Sequence, residues 1–407
     1  MEMALVHVCQ KWRQLVFASR HRLNLQILCT DRTPVRKNLG IWPALPIVID
    51  YHYSGSGIIP NDEDNVICAL EHPDHVCYVR LDMTGSQLGK MATAMQEPFP
   101  VLTPCLFIGS DDIDAPVLPG TFLGGSAPCL QEIASSGIPY PTLPTLLLSA
   151  SDLVELSLHK IIPTGYIPPE AMVVCLAALP GLDTFRVGFR PAIPRPDRVR
   201  PPPVTRTVLP VLTSFRFNGA SQYLEDLVAQ IDCPQLGQIF IFYMSQFVNF
   251  QVTQLSYFID RTVGPEITLF RHAQVTFVSD WVSFTAYRHE IHPRSGFLPV
   301  RTLISCQGQT GKFLAWPRCS ADFPLSSIVR TLHVSQELAG HVALAPEDIT
   351  REMVTEVLPS LVLIRVVGQP ASPIEKFVAG RRLYSRPVVV IDTETEFYER
   401  LESSAGD

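Results

Sequence analysis

The sequence is poor in charge. Asp, Glu, Lys and Arg make up 17% of its 407 residues, against roughly a quarter in an ordinary soluble protein. With 46% hydrophobic residues, that composition excludes a chain disordered throughout, which would be polar and charged. There is no basic excess either. The formal net charge is −7, so little cationic surface exists to displace counterions from nucleic-acid phosphates. Among ten cysteines no C-x-x-C pair occurs and no Cys/His cluster has zinc spacing. The N-terminal residues are not expected to be a signal peptide: Glu2, His7, Lys11 and Arg13 interrupt their apolar pattern. No uninterrupted apolar run reaches the roughly 18 residues of a membrane span. The longest, Ala171–Leu179, stops at Pro180. These absences lead us to expect no nucleic-acid partner, no membrane, no metal and no cofactor. They also place the thiols in a reducing cytoplasm or nucleus.

What the sequence has in excess is proline, 36 residues of 407. Proline inside a helix removes a hydrogen bond and clashes with the preceding turn, so a coiled coil or simple bundle is excluded. The prolines are organised. A hexad with apolar first, fourth and sixth positions recurs as Leu153…Leu156…Leu158, Leu182…Phe185…Val187, Leu212…Phe215…Phe217 and Leu236…Ile239…Ile241, at offsets of 29, 30 and 24 residues. Val76…Val79…Leu81 and Leu130…Ile133 precede these copies. His272…Val275…Phe277, Val329…Leu332…Val334 and Leu361…Ile364…Val366 follow them. The alternation that ends each copy predicts a short strand. Several copies open on P-x-L, at Pro128, Pro180, Pro210 and Pro234.

Helical segments lie between the copies. Pro168–Leu179 carries prolines and an acid in its first turn and ends before Pro180. From Ser221, residues Leu224, Leu227, Val228 and Ile231 share one helix face. Ser86–Met95 and Gln251–Asp260 read the same way. A strand–helix unit of this length buries its apolar surface only against its neighbours. The fold expected is α/β: an irregular leucine-rich-repeat-like solenoid with a parallel sheet. A doubly wound α/β domain is the competing fold. The organisation expected is an N-terminal helix at 1–20, a solenoid at 21–370 and a C-terminal segment with an acidic tail at 371–407. One Pro/Arg-rich stretch, Phe189–Pro210, holds seven prolines and five arginines and reads as an exposed loop inserted at 190–210.

Leu5, Val8, Cys9, Trp12 and Val16 recur at helical spacing. The run Leu5-Val-His-Val-Cys-Gln-Lys-Trp-Arg13 resembles the last helix of an F-box. Arg22–Thr30, Ile41–Ile49, Gly165–Met172 and Tyr223–Pro234 are similar to runs in the F-box proteins of mushroom-forming fungi, which carry a leucine-rich-repeat-like body. The resemblance covers most of the chain, with only the end of the F-box in the given sequence. It implies a substrate-recognition subunit of an SCF-type cullin–RING ubiquitin ligase, with an unknown target protein on the repeat body. Val8, Cys9 and Trp12 would then face the Skp-type adaptor. The same helix also reads as a plain cap on the solenoid end. A repeat scaffold that binds protein without recruiting a ligase is the alternative function.

No enzymatic motif is complete. Gly308-Gln-Thr-Gly-Lys312 lacks phosphate-loop spacing, and Phe313 stands where a hydroxyl residue belongs. His289-Glu-Ile-His292 has its histidines three apart rather than four. Asp111-Asp-Ile-Asp114 has too few ligands for a calcium loop. No G-x-S-x-G nucleophile elbow occurs.

The fifth hexad position should face away from the core. That column reads Arg80, Phe107, Ala134, Ser157, Arg186, Arg216 and Phe240, and runs on through Thr276 and His333 to Arg365. Arg186, Arg216 and Phe240 would stand in consecutive copies, about 4.8 Å apart. Glu155, Thr184, Ser214 and Gln238 form the neighbouring column. Arginine and aromatic residues favour interface hot spots. The partner-binding residues expected are therefore Arg186, Arg216, Phe240, Glu155 and Ser157.

Overall fold

The computed structural model describes residues 14, 25–30, 33, 35–39, 45–51, 60–109, 117–139, 143–190, 205–244 and 253–263. It also describes the strand backbones at 272–278, 281–287, 302–307, 331–336, 363–367 and 389–392. The chain divides into two compact units, Met1–Arg186 and Val187–Asp407.

In the first unit strands and helices alternate. The order is β1 (Ile27–Cys29), α1 (Val35–Leu39), β2 (Ile47–Tyr51), α2 (Pro60–Leu70), β3 (Val76–Met83), α3 (Gly85–Ala94) and β4 (Pro104–Gly109). A 3-10 turn at Phe122–Gly125 follows, then β5 (Glu132–Ser136), α4 (Leu143–Leu147), β6 (Glu155–Ile161), α5 (Pro169–Ala177) and the start of β7 (Thr184–Phe189). Strands β1 to β6 pair in chain order, every pair parallel. The fold is mixed α/β with a large parallel sheet. Parallel neighbours need a long crossover, and the helical segments supply it. Pro169 opens α5 at a position where its missing N–H costs nothing. Before α3, the Gln87 Oε1 accepts the Thr84 N–H at 3.2 Å, half of a capping box.

The P-x-L joints are turns. Leu130, Leu182 and Leu236 each donate a backbone hydrogen bond to the residue three before, Ala127, Leu179 and Cys233, at 3.2 Å in each case. Proline thus sits second in a four-residue turn, where its fixed φ fits. The proline is exposed, and the leucine is driven into the core: Leu130, Leu182, Leu212 and Leu236 are all buried. Phe99-Pro-Val-Leu102 makes the same turn, Leu102 N–H to Phe99 O at 3.3 Å. Ala150-Ser-Asp-Leu153 does so without proline, at 3.1 Å. After the turn, one carbonyl takes two successive amides of the next strand. Thr103 O accepts Gln131 and Glu132, Gln131 O accepts Val154 and Glu155, and Val154 O accepts Asp183 and Thr184. This doubled bond sets where each strand begins.

The hexads then point their first, fourth and sixth side chains inward. Val76, Val79, Leu81, Leu153, Leu156 and Leu158 are all buried, and so are Leu182 and Phe185. Burial alternates along β2, β4 and β5, so one sheet face is packed and the other half-exposed. A doubly wound sheet would be buried on both faces.

The second unit continues the helix–strand pattern with β8 (Thr207–Val208), β9 (Ser214–Gly219), α6 (Ser221–Val228), β10 (Ile231–Asp232), β11 (Gln238–Met244) and α7 (Thr253–Val263). Then come β12 (His272–Val278), β13 (Trp281–Tyr287), β14 (Thr302–Gln307), β15 (Thr331–Gln336), β16 (Leu363–Val367) and β17 (Val389–Asp392). Strands β9, β11 and β14 are parallel neighbours, as are β12, β15, β16 and β17. Strand β13 is antiparallel to both β12 and β14. The parallel order expected from the sequence is interrupted at this one strand among those described. Only residues 279–280 separate β12 from β13, enough for a hairpin and far too few for a crossover.

Two further segments carry short strands. Within Phe189–Pro210, residues 191–204 lie outside the described residues, but Thr207–Val208 is a strand. Its flanks are fixed by Thr207 N–H to Gln230 O at 2.9 Å and Leu209 N–H to Asp232 O at 2.8 Å. Within 371–407, Val389–Asp392 joins the sheet as β17.

Aromatic side chains fill the core of the second unit. Phe189 lies 4.5 Å from Tyr223 and 6.2 Å from Phe217, ring centre to ring centre. Gly219 leaves them room, since a Cβ there would stand 2.8 Å from Phe189 Cδ2. Glu225 on α6 accepts the N–H groups of Gln254 at 2.7 Å and Leu255 at 2.9 Å. It thereby ties α6 to the first turn of α7.

Candidate functional interface

The half-exposed sheet face is the only feature of the described residues that gathers the candidates from the sequence. In the first unit its central column, read from the pairing, is Asp50, Arg80, Leu106, Ala134 and Ser157. Phe107 does not belong to it. The turn at Pro100 starts that copy one residue earlier than the apolar pattern of β4 suggests. Leu102, Cys105 and Phe107 are therefore its inward residues. Phe107 packs edge-on against Phe122, with ring centres 5.4 Å apart and planes at 74°.

Glu155, Ser157 and Arg186 form one network. The Arg186 Nη1 donates to Glu155 Oε1 in an ion pair and to Ser157 Oγ at 3.3 Å. The Ser157 Oγ donates to Glu155 Oε1 at 3.1 Å. Ser157 faces outward yet is only 2% exposed, because these two long side chains bond to it. Its hydroxyl is covered, and the carboxylate beside it is already engaged by a guanidinium.

Glu132 sits next to this network, paired in register with Glu155. Burial, then the Glu155 carboxylate, push the Glu132 carboxyl above its ordinary range, while Arg186 and Arg80 pull it back. Glu132 was passed over in the sequence, although it holds the same hexad position as Glu155.

In the second unit Arg216 and Phe240 face each other across β9 and β11. The Arg216 guanidinium carbon lies 5.6 Å from the Phe240 ring centre. That is within cation–π range. Arg216 is exposed and Phe240 half-exposed. Of the five partner-binding residues expected, the structure thus brings Glu155, Ser157 and Arg186 together in one unit and Arg216 with Phe240 in the other. Thr276, His333 and Arg365 lie on strands described by backbone alone.

The adaptor-facing candidates Val8, Cys9 and Trp12 lie outside the described residues, as do Asp111–Asp114, His289–His292 and Gly308–Lys312. Among the described residues no group of His, Cys, Asp or Glu could hold a metal ion. No described helix is long and apolar enough to cross a membrane. The described cysteines are free thiols. Burial pushes Cys105 up, and it pushes Cys233 up to about 12, so neither offers a thiolate near neutrality. Comparison with models of known protein families gives no match, and comparison with curated proteins gives none.

Proposed function

We propose that this chain is the substrate-recognition subunit of an SCF-type cullin–RING ubiquitin ligase, with no enzymatic activity of its own. In this reading the body is an irregular leucine-rich-repeat-like solenoid. The observation that supports it is the one-sided sheet: packed on one face, half-exposed on the other, with Arg, Glu and Phe on the half-exposed face. Stacked strand–helix units of this kind offer extended protein-binding surfaces. The ligase part rests on the resemblance of Leu5–Arg13 to the end of an F-box, with Val8, Cys9 and Trp12 toward a Skp-type adaptor. The sheet face alone supports equally a repeat scaffold that recruits no ligase. A pull-down on immobilised Skp-type adaptor separates the two readings. The wild-type chain is retained, Trp12→Ala is lost, and Arg216→Glu is retained. A wild-type chain that washes through overturns the ligase reading and leaves the scaffold.

A further inference from the structure

Both outward arginines hold the same hexad position, yet they are in different states. Arg186 is occupied within its own unit: Glu155 neutralises it and Ser157 takes a second bond. Arg216 has no carboxylate within ion-pair distance among the described residues. It is exposed and rests on an aromatic ring rather than an acid. The other described outward residues of β9 and β11 are Ser214, Asn218, Gln238 and Phe240, none of them charged. Among the described outward residues of β9 and β11, Arg216 is thus the one charged side chain, and it lies over the Phe240 ring.

A partner that fits this arrangement needs two groups. A carboxylate can bond two guanidinium N–H groups in parallel, the geometry arginine favours. An apolar side chain beside it can cover the exposed part of the Phe240 ring. Stacking on the ring restrains the guanidinium before binding, which lowers the ordering cost of the contact.

We infer that Arg216, held on Phe240, is the anchor by which this face captures an acidic segment of a partner protein, an Asp or Glu next to an apolar residue. The inference rests on the protein-binding reading of the face. It assigns opposite roles to the two arginines: Arg186 is held within its own unit's network and Arg216 recognises.

The test uses the full chain and a displayed library of random peptides. Wild type enriches peptides with Asp or Glu beside an apolar residue. A synthetic peptide from that pool loses affinity by at least about tenfold against Arg216→Gln. The Arg216→Glu chain enriches Lys or Arg at the same peptide position. Both variants alter an exposed side chain, and an unchanged thermal midpoint checks that they fold. Enriched peptides without an acidic residue, or a pool unchanged by Arg216→Glu, overturn this inference and leave the protein-binding reading in place. No enrichment over a denatured control overturns both.

Discussion

Substituting alanine at Gly124 and, separately, at Gly125 probes the turn that packs against β4. This turn carries Phe122, which packs on Phe107. The backbone here is left-handed at three successive residues, Leu123 at φ 54°, Gly124 at 66° and Gly125 at 71°. It is pinned by Leu123 N–H to Met95 O at 2.7 Å and Gly124 N–H to Thr121 O at 2.8 Å. A side chain in that conformation costs about 1–2 kcal/mol. At Gly125 nothing lies within 4 Å of an added Cβ, so the conformational cost is the whole cost. At Gly124 the Cβ would meet Pro98 Cγ at 2.8 Å, its N at 2.9 Å and its Cα at 3.0 Å. The last two are backbone atoms and cannot swing aside. Overpacking of this kind adds about 1–3 kcal/mol. Gly124→Ala should therefore lose about 2–5 kcal/mol and Gly125→Ala about 1–2 kcal/mol. Urea unfolding followed by circular dichroism reads both, as a lower midpoint at unchanged slope. Equal losses at the two positions would refute the argument, because the clash with Pro98 is all that distinguishes them.

Other expectations follow from the interface and the helix pair. Glu132 has its folded pKa raised, mainly by burial. Its contribution to stability is thus fullest below the ordinary carboxylate range and is lost as pH rises through the folded value. Glu132→Gln should be more stable than wild type at about pH 7 and equal to it at about pH 3, as thermal melts across that range would show. Glu225→Ala strips the acceptor from two amides at the start of α7. It should cost about 1–2 kcal/mol in denaturant melts and speed amide exchange at Gln254 and Leu255. Unchanged exchange there would contradict the assigned role of Glu225.

The joints were the most legible part of the chain. Proline two residues before leucine has a mechanical meaning: it presets a turn and delivers the leucine to the core. Pro128, Pro180 and Pro234 all do this. The same signal at Pro100 went unread, because β4 itself, Pro-Cys-Leu-Phe-Ile-Gly, is apolar on both faces. Alternation cannot set the phase of such a strand, and so Phe107 was placed outward. The antiparallel strand β13 was also missed. Repetition predicts the next copy but says nothing of a hairpin inserted between copies. At the interface, the residue types were legible and their pairings were not. Arg186 and Arg216 look alike in the sequence. One is neutralised by the neighbouring strand and the other stacked on it, and that difference depends on register.

Among the described copies the sheet packs its fourth and sixth hexad positions and presents the fifth. Native-state thiol labelling tests it most directly. Arg216→Cys and Arg186→Cys, made separately in a chain whose exposed Cys129 is replaced by serine, should react with a maleimide within minutes under native conditions. Cys105, a fourth-position residue with no exposed surface, should react only after unfolding. Labelling of Cys105 in the native chain, or protection of the cysteine at 216 equal to that of Cys105, would contradict the account.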